Sequence, residues 1–209
     1  MQNKTKAKSE CFGLPAAVLI IVLMTLGGCS AAGALKPSPH DLALRLIGAA
    51  EALNATAVHY KLLKDGVLDA FIVRHTFVYP DGSTKTVTLV TLQQFEEFVT
   101  EMEQLRRASY EAIKERGFKQ LAPRYAATVS KDCGDRWFTQ GEVVVEQKEL
   151  VVQFSQAGKK VALGVVVEST VTLRVFGRSS LIGELHPSYI GLREIGLVGS
   201  TCTITLNPR

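Results

Sequence analysis

The histidines and the serine-containing turns are the residues of this chain whose types could support catalysis or metal binding. The four histidines are His40, His59, His75 and His186. None belongs to a His-x-x-x-His pair or lies beside clustered carboxylates at metal-ligand spacing, so the sequence predicts no metal site. His75 alternates with four apolar or aromatic residues, Phe71, Val73, Phe77 and Tyr79. This alternation predicts that the His75 ring faces a core or a cleft. A structural role is favoured, and a binding or catalytic role is the alternative.

The catalytic sequence motifs are incomplete. Gly177-Arg178-Ser179-Ser180-Leu181 lacks the second glycine of the Gly-x-Ser-x-Gly motif of serine hydrolases, and Ser179 is therefore interpreted as a turn residue. Gly158-Lys159-Lys160 lacks the first glycine and the Ser/Thr of a phosphate-binding loop, and is interpreted as a hairpin tip. We therefore expect a protein that is not an enzyme and binds no cofactor.

The N-terminal segment combines basic residues, an apolar run and a cysteine, as bacterial export signals do. Three lysines (Lys4, Lys6 and Lys8) precede an apolar run at residues 14–26. The run ends in Leu26-Gly27-Gly28-Cys29, which resembles the bacterial lipobox. A plain transmembrane anchor, or an ordinary signal peptide with an incidental Cys29, is the alternative.

The lipobox resemblance implies a location in the cell. Residues 1–28 would be a signal peptide, and the mature chain would begin at an acylated Cys29. Residues 29–37 would tether the protein to a membrane through the acyl chains. By the enteric sorting rule, Ser30 at the position after the cysteine implies the outer membrane, facing the periplasm.

Two cysteines remain for the folded part of the mature chain. Cys11 lies in the predicted signal peptide and Cys29 is the predicted acylation site, which leaves Cys133 and Cys202. An exported protein meets oxidising conditions, so these two are predicted to form a disulfide worth roughly 4 kcal/mol in the chain-entropy model. A pair of buried free thiols or half of a metal site is the alternative.

Residues 38–123 are predicted to form an α+β region, opened by a helix. Ser38 and Asp41 fit a capping box around Pro39 at the first helical position. The helix is expected to end near Asn54, with continuation to Asp65-Gly66 as the alternative.

A hairpin and a long helix complete this region. Residues 69–89 alternate around a turn at 80–83 and predict a β-hairpin. Thr91 and Gln94 fit a second capping box, which opens a helix to about Arg116, ended by Gly117. Its acidic residues come early and its basic residues late: Glu96, Glu97, Glu101 and Glu103, then Arg106, Arg107, Lys114 and Arg116. Complementing the helix dipole is the favoured interpretation, and a basic end that faces lipid phosphates or an acidic partner is the alternative.

Residues 124–209 are predicted to form an antiparallel β domain, a sandwich or a small closed barrel. The expected strands are residues 143–146, 150–154, 161–167, 171–176, 181–185, 190–198 and 202–206. A disulfide from Cys133 to Cys202 would join the start of this domain to its last strand. Trp137 is expected to pack over that disulfide, with a role as a binding anchor as the alternative.

The β domain loosely resembles the periplasmic C-type lysozyme inhibitors, which are small lipoprotein barrels with one disulfide linking their two ends. The resemblance covers only the stretch from Cys133 to Cys202, and the Ser-Gly-x-x-Tyr loop of that family is missing. It implies inhibition of a secreted enzyme, without any inhibitory residue that can be assigned here.

Charge and composition exclude one class of partner. Removal of residues 1–28 leaves a net charge of +2, and no strongly basic face of the kind that binds nucleic acid is evident. The sequence thus predicts an α+β, lipid-anchored envelope protein. Its expected activity is non-enzymatic binding or envelope assembly, with a protein, glycan or lipid as partner. Inhibition of a secreted enzyme, or carriage of a small apolar ligand, is the alternative.

Overall fold

The computed structural model describes residues 36–78, 84–133, 138–175, 180–194 and 202–209. Within the chain, Pro37–Arg209 forms one compact unit. Cys29 and the lipobox, the predicted hairpin turn, Trp137 and Ser179 lie outside the described residues. Among the described helices, none is both long enough and apolar enough to cross a bilayer.

Helix α1 (Pro39–Lys64) begins as its capping residues predict. Ser38 Oγ accepts a hydrogen bond from the Asp41 amide, and the Asp41 carboxylate accepts one from the Ser38 amide. The favoured end near Asn54 is wrong, because the helix continues to Lys64. Thr56 and Leu63 keep its buried face in contact beyond that point, and the Thr56 hydroxyl donates to the Ala52 carbonyl at 2.9 Å.

A two-stranded antiparallel sheet and a second helix follow. The strands are β1 (Val73–Val78) and β2 (Thr84–Leu89), and the helix is α2 (Leu92–Arg116). Phe71 and Ile72, expected in the first strand, precede it, and Ile72 is 68% exposed. A core cluster joins α1, the sheet and α2 through Ala49, Ala52, Leu63, Leu89, Phe95, Phe98 and Met102.

The end of α2 is attached to the barrel that follows. Gly117 ends the helix with a φ of 86°, a left-handed conformation that suits glycine. Its carbonyl accepts a hydrogen bond from the Glu168 amide at 2.8 Å, and Arg116 lies 3.8 Å from the Glu168 carboxylate. The helix end is therefore held at the turn between two barrel strands.

Eight antiparallel strands close into a barrel. They are β3 (Arg124–Val129), β4 (Gly141–Lys148), β5 (Val151–Gln156), β6 (Lys159–Val167), β7 (Thr170–Val175), β8 (Ser180–Leu185), β9 (Ile190–Glu194) and β10 (Thr203–Pro208). Each strand pairs with the next along the chain, and β10 closes the ring by pairing with both β9 and β3. The α+β class is confirmed, and the β domain is a closed barrel rather than a sandwich.

The two remaining cysteines meet where the barrel closes. Cys133 ends a short 3₁₀ turn after β3, and Cys202 immediately precedes β10. Their sulfurs lie 2.09 Å apart, at disulfide distance, and both residues are buried. The predicted pairing therefore joins the first barrel strand to the last one. Strand β3 itself is not among the strands predicted from the sequence.

Side chains fill the barrel interior. Fully buried residues from many strands meet there, among them Phe138, Val143, Val152, Phe154, Leu173, Leu181, Leu192, Ile204 and Leu206. Gly164 on β6 has no room for a side chain, because a Cβ would lie 2.6 Å from the Thr172 carbonyl oxygen and collide with the Leu173 side chain. Because the interior is packed with side chains, a ligand would bind on the outside of the barrel rather than within it.

Helix α1 lies across the outer face of the barrel. Its apolar side packs on outward-facing residues of β6 in a cluster of Leu42, Ala43, Leu46, Ile47, Ile113, Leu150, Val165 and Val167. Two polar contacts reach β7: His40 Nδ1 lies 3.1 Å from Thr172 Oγ1, and Arg174 Nε donates to Glu51 Oε1 at 3.1 Å. These contacts fix the helix relative to the wall beneath it.

Candidate functional site

A groove lies between the two helices and the outer wall of the barrel. We call it the helix–barrel groove, and it is lined by Leu46, Ile47 and Ala50 of α1, Arg106, Arg107 and Tyr110 of α2, and Val151, Leu163, Gly164 and Val165 of β5 and β6. Its volume is about 390 Å³. Small-molecule sites are typically apolar clefts of about 300–1,000 Å³ with a few polar groups, and this groove has that character.

The floor of the groove follows from strand alternation on β6. Ala162, Gly164 and Val166 alternate with Leu163, Val165 and Val167, so the second set points outward toward the helices. Val165 and Val167 are covered by α1, whereas Leu163 is 37% exposed. Ala50, on the facing side of α1, carries only a methyl group. The Leu163 side chain thus lies beneath a space that the small Ala50 side chain leaves unfilled.

One rim of the groove is basic. Arg106 and Arg107 are exposed on α2, and neither forms a salt bridge with any residue in the described part of the chain. Tyr110 is fixed beside them, because its hydroxyl donates a hydrogen bond to Glu149 and the Lys114 ammonium lies 5.5 Å from its ring centre. The groove therefore combines apolar walls with two uncompensated guanidinium groups at its edge.

A second, more polar surface surrounds the turn between β8 and β9. The rings of His186 and Tyr189 stack with centres 4.4 Å apart, and His186 Nε2 lies 3.9 Å from the Glu184 carboxylate. Two clefts of about 400 and 440 Å³ flank this pair, and their linings are more polar than that of the groove. Tyr189 also lies over Gly191, its Cε2 only 3.4 Å from where a Cβ would be. The Tyr189 ring therefore packs over Gly191, which has no side chain, and this packing gives the His186–Tyr189 pair a structural role.

His75, the histidine singled out from the sequence, lies on β1 opposite Val87. Its ring stacks on Phe98 of α2 with centres 5.4 Å apart, and burial lowers the pKa of its imidazole. The ring thus faces a helix that packs on the two-stranded sheet. His75 is not among the residues that line the helix–barrel groove.

The other histidines occupy separate places. His40 contacts Thr172 of β7, and burial is the main cause that lowers the pKa of its imidazole, with Arg193 adding to the effect and Asp41 opposing it. The His59 ring stacks on Phe71 with centres 4.0 Å apart. Over residues 36–209, excepting the four gaps, no group of three or more His, Cys, Asp or Glu side chains is arranged to hold a metal ion.

Some sequence predictions fall on residues that the structure does not describe. Acylation of Cys29 stays a prediction, as does packing of Trp137 over the disulfide. The inhibitor hypothesis also stays a prediction, because Trp137 and residues 134–136 lie outside the described residues.

The groove residues themselves had little sequence signal. Arg106 and Arg107 were recognisable only as part of a basic helix end, and Leu163 and Ala50 read as ordinary members of a strand and a helix. No family model matches this chain, and neither a curated protein nor a solved structure is detectably similar to it.

Proposed function

We propose that this chain is a lipid-anchored protein of the bacterial envelope whose folded unit is a non-enzymatic binding module. Its ligand places an apolar part in the helix–barrel groove. The observation that carries the binding role is this groove, in which Leu163 stays 37% exposed between two helices and the barrel wall. The resemblance of Leu26-Gly27-Gly28-Cys29 to the lipobox supports the anchor, and Ser30 supports the outer membrane.

The position of the groove favours a ligand that enters from outside the barrel. The interior is occupied by fully buried side chains such as Phe154 and Leu173, so a carrier of the kind that holds its ligand in the barrel lumen is disfavoured. Carriage of a small apolar ligand is instead compatible with the outer wall. This distinction gives the apolar-ligand alternative a defined site.

Burial of an alkyl chain supplies a free energy comparable with the cost of association. Each buried methylene contributes about 0.8 kcal/mol, so ten of them contribute about 8 kcal/mol before the costs of association. Those costs are roughly 4–15 kcal/mol, so short chains would bind weakly and long ones detectably. A long alkyl chain is therefore the probe with which to test the groove.

The test is photolabelling of the purified full chain with a long-chain alcohol that carries a diazirine in its alkyl part. We expect labelled peptides from α1, α2 and β6, identified by mass spectrometry. Leu163→Ser removes contact with about two methylenes and should raise the half-saturating concentration about tenfold. Val144→Ser is the matched control, because Val144 is 38% exposed on the barrel but lies outside the groove.

A second pair of variants guards against loss of folding. Ala50→Trp places an indole in the groove, whereas Ala57→Trp makes the same change at an exposed position of the same helix. Labelling should fall in the first variant and stay at the wild-type level in the second. Equal labelling of wild type and Ala50→Trp, with both proteins folded by circular dichroism, would reject the groove as the binding site.

The anchor has its own test, which does not depend on the groove. The mature chain isolated from bacterial membranes should begin at Cys29 and carry the mass of a diacylglyceryl group and an amide-linked acyl chain. A mature N-terminus elsewhere, or an unmodified Cys29, would contradict the lipobox prediction.

A further inference from the structure

The rim of the helix–barrel groove contains two arginines in an otherwise mostly apolar lining. Arg106 and Arg107 are consecutive on α2, and both line the groove. Consecutive helical residues point about 100° apart, so both reach one opening only if that opening spans the edge of the helix. Both arginines therefore line the same side of the groove, the side formed by α2.

Among the described residues, no acidic side chain forms an ion pair with Arg106 or Arg107. Glu149 accepts the hydrogen bond from Tyr110 and keeps its negative charge, whereas Glu51 pairs with Arg174 at 3.1 Å. Glu103 lies one turn before Arg107 and Glu111 one turn after it, yet in the described part of the chain neither is within salt-bridge distance of Arg106 or Arg107. The two arginines therefore lack an ion-pair partner among the described residues, and a ligand anion could supply one.

Resting on the function proposed above, we infer that the groove binds a long-chain fatty acid, with its alkyl chain on Leu163 and its carboxylate on Arg106 and Arg107. Guanidinium groups bind carboxylates through paired hydrogen bonds, which are stronger than those between neutral groups. A volume of about 390 Å³ is near the lower end for small-molecule sites, which favours one alkyl chain over two.

The compact carboxylate also distinguishes this ligand from a zwitterionic phospholipid. A zwitterionic headgroup would bring an ammonium group toward Arg106, Arg107 and Lys114, and these like charges repel it. A fatty acid presents only the anion, and both arginines line the groove that would hold its alkyl chain. The charge of the rim and the size of the groove therefore point to the same ligand.

The experiment compares two diazirine probes with the same alkyl chain, a carboxylic acid and the corresponding alcohol, on the purified full chain. We expect the acid to half-saturate labelling at a concentration at least about tenfold lower than the alcohol at low ionic strength. Added salt should shrink this difference, because the rim is exposed and therefore screened.

The double variant Arg106→Gln/Arg107→Gln should weaken labelling by the acid about tenfold and leave labelling by the alcohol within about twofold. Arg45→Gln/Arg74→Gln is the matched control, since it removes the same charge at exposed positions that do not line the groove. It should leave labelling by both probes unchanged.

The outcomes separate this inference from the proposed function. Equal labelling by acid and alcohol, with both sensitive to Leu163→Ser, would overturn the carboxylate assignment and keep the apolar groove. Absence of groove labelling by either probe would overturn both. If a lysophospholipid competed with the probe more strongly than palmitate does, the fatty-acid assignment would be overturned in favour of a lysophospholipid. A dimer in sedimentation that dissociates in Leu163→Ser, together with no probe binding, would show that a second copy occupies the groove.

Discussion

Reduction of the Cys133–Cys202 pair should lower the free energy of unfolding by about 4 kcal/mol. The two cysteines are 69 residues apart, and the chain-entropy model for a loop of that length gives about 4.4 kcal/mol at 25 °C. For a unit of this size the loss corresponds to a decrease in Tm of roughly 9–18 °C. The effect arises in the unfolded state, which the crosslink otherwise restricts.

The native contacts around the pair explain why the folded state should survive reduction. Ser130 joins the two chain segments without the sulfurs, because its amide donates to the Thr203 carbonyl at 2.9 Å and its hydroxyl accepts from the Thr203 amide at 3.0 Å. Strands β3 and β10 are also paired along their length. The barrel should therefore remain closed after reduction, but unfold at lower denaturant concentration.

The assay is urea unfolding of the wild type with and without dithiothreitol, followed by circular dichroism. Cys133→Ala/Cys202→Ala is the control, since dithiothreitol should not change its stability. The change in free energy should appear in the midpoint with similar slopes. A decrease below about 1.5 kcal/mol in the wild type, or an equal decrease in the variant, would refute the argument from loop closure.

Three further predictions concern the fold. Gly164→Ala should destabilise the protein by about 1–3 kcal/mol, because the added Cβ has no room beside Leu173. Gly48→Ala should instead stabilise it by about 0.5–1 kcal/mol, because Gly48 lies in α1 with nothing within 4 Å of the added atom. Equal effects of the two substitutions in denaturant unfolding would contradict this packing argument. Stability should fall as pH decreases through the ordinary histidine pKa, because burial lowers the pKa of folded His40 and the unfolded chain then binds more protons. His40→Gln should reduce this dependence in unfolding measured between pH 5 and 8, and an unchanged slope would exclude His40 as its source. Thr91→Ala should cost about 1 kcal/mol by removing the α2 cap, whereas Thr100→Ala, at an exposed position within the helix, should cost less; equal losses would argue against the capping contribution.

The starts of both helices and most of the strands could be predicted because their determinants are local. A capping box needs residues three positions apart, and Ser38 with Asp41 and Thr91 with Gln94 satisfy it as the sequence indicates. Alternation on β7 and β10 likewise depends on neighbouring residues, since successive side chains of a strand point to opposite faces. The pairing of Cys133 with Cys202 followed from counting cysteines after Cys11 and Cys29 were assigned to the predicted signal peptide and acylation site.

Other features depend on contacts between distant parts of the chain. Strand β3 contains Ala126 and Ala127, which have weak β-propensity, and its conformation is fixed by pairing with β4 and β10. The continuation of α1 past Asn54 depends on Leu63 packing with α2 and the two-stranded sheet. Local sequence could not decide either point.

The helix–barrel groove is the clearest product of tertiary structure. Ala50, Arg107 and Leu163 are more than 50 residues apart in sequence, and each taken alone has an ordinary role in a helix or a strand. The sequence by itself determined the cysteine pair and most secondary-structure elements, because each depends on composition or short spacing, and the export motif stays a prediction from the same kind of pattern. Tertiary packing alone decided that α1 and α2 lie beside β6 with an apolar opening and two arginines at its rim, because hydrophobic burial sets how distant elements meet.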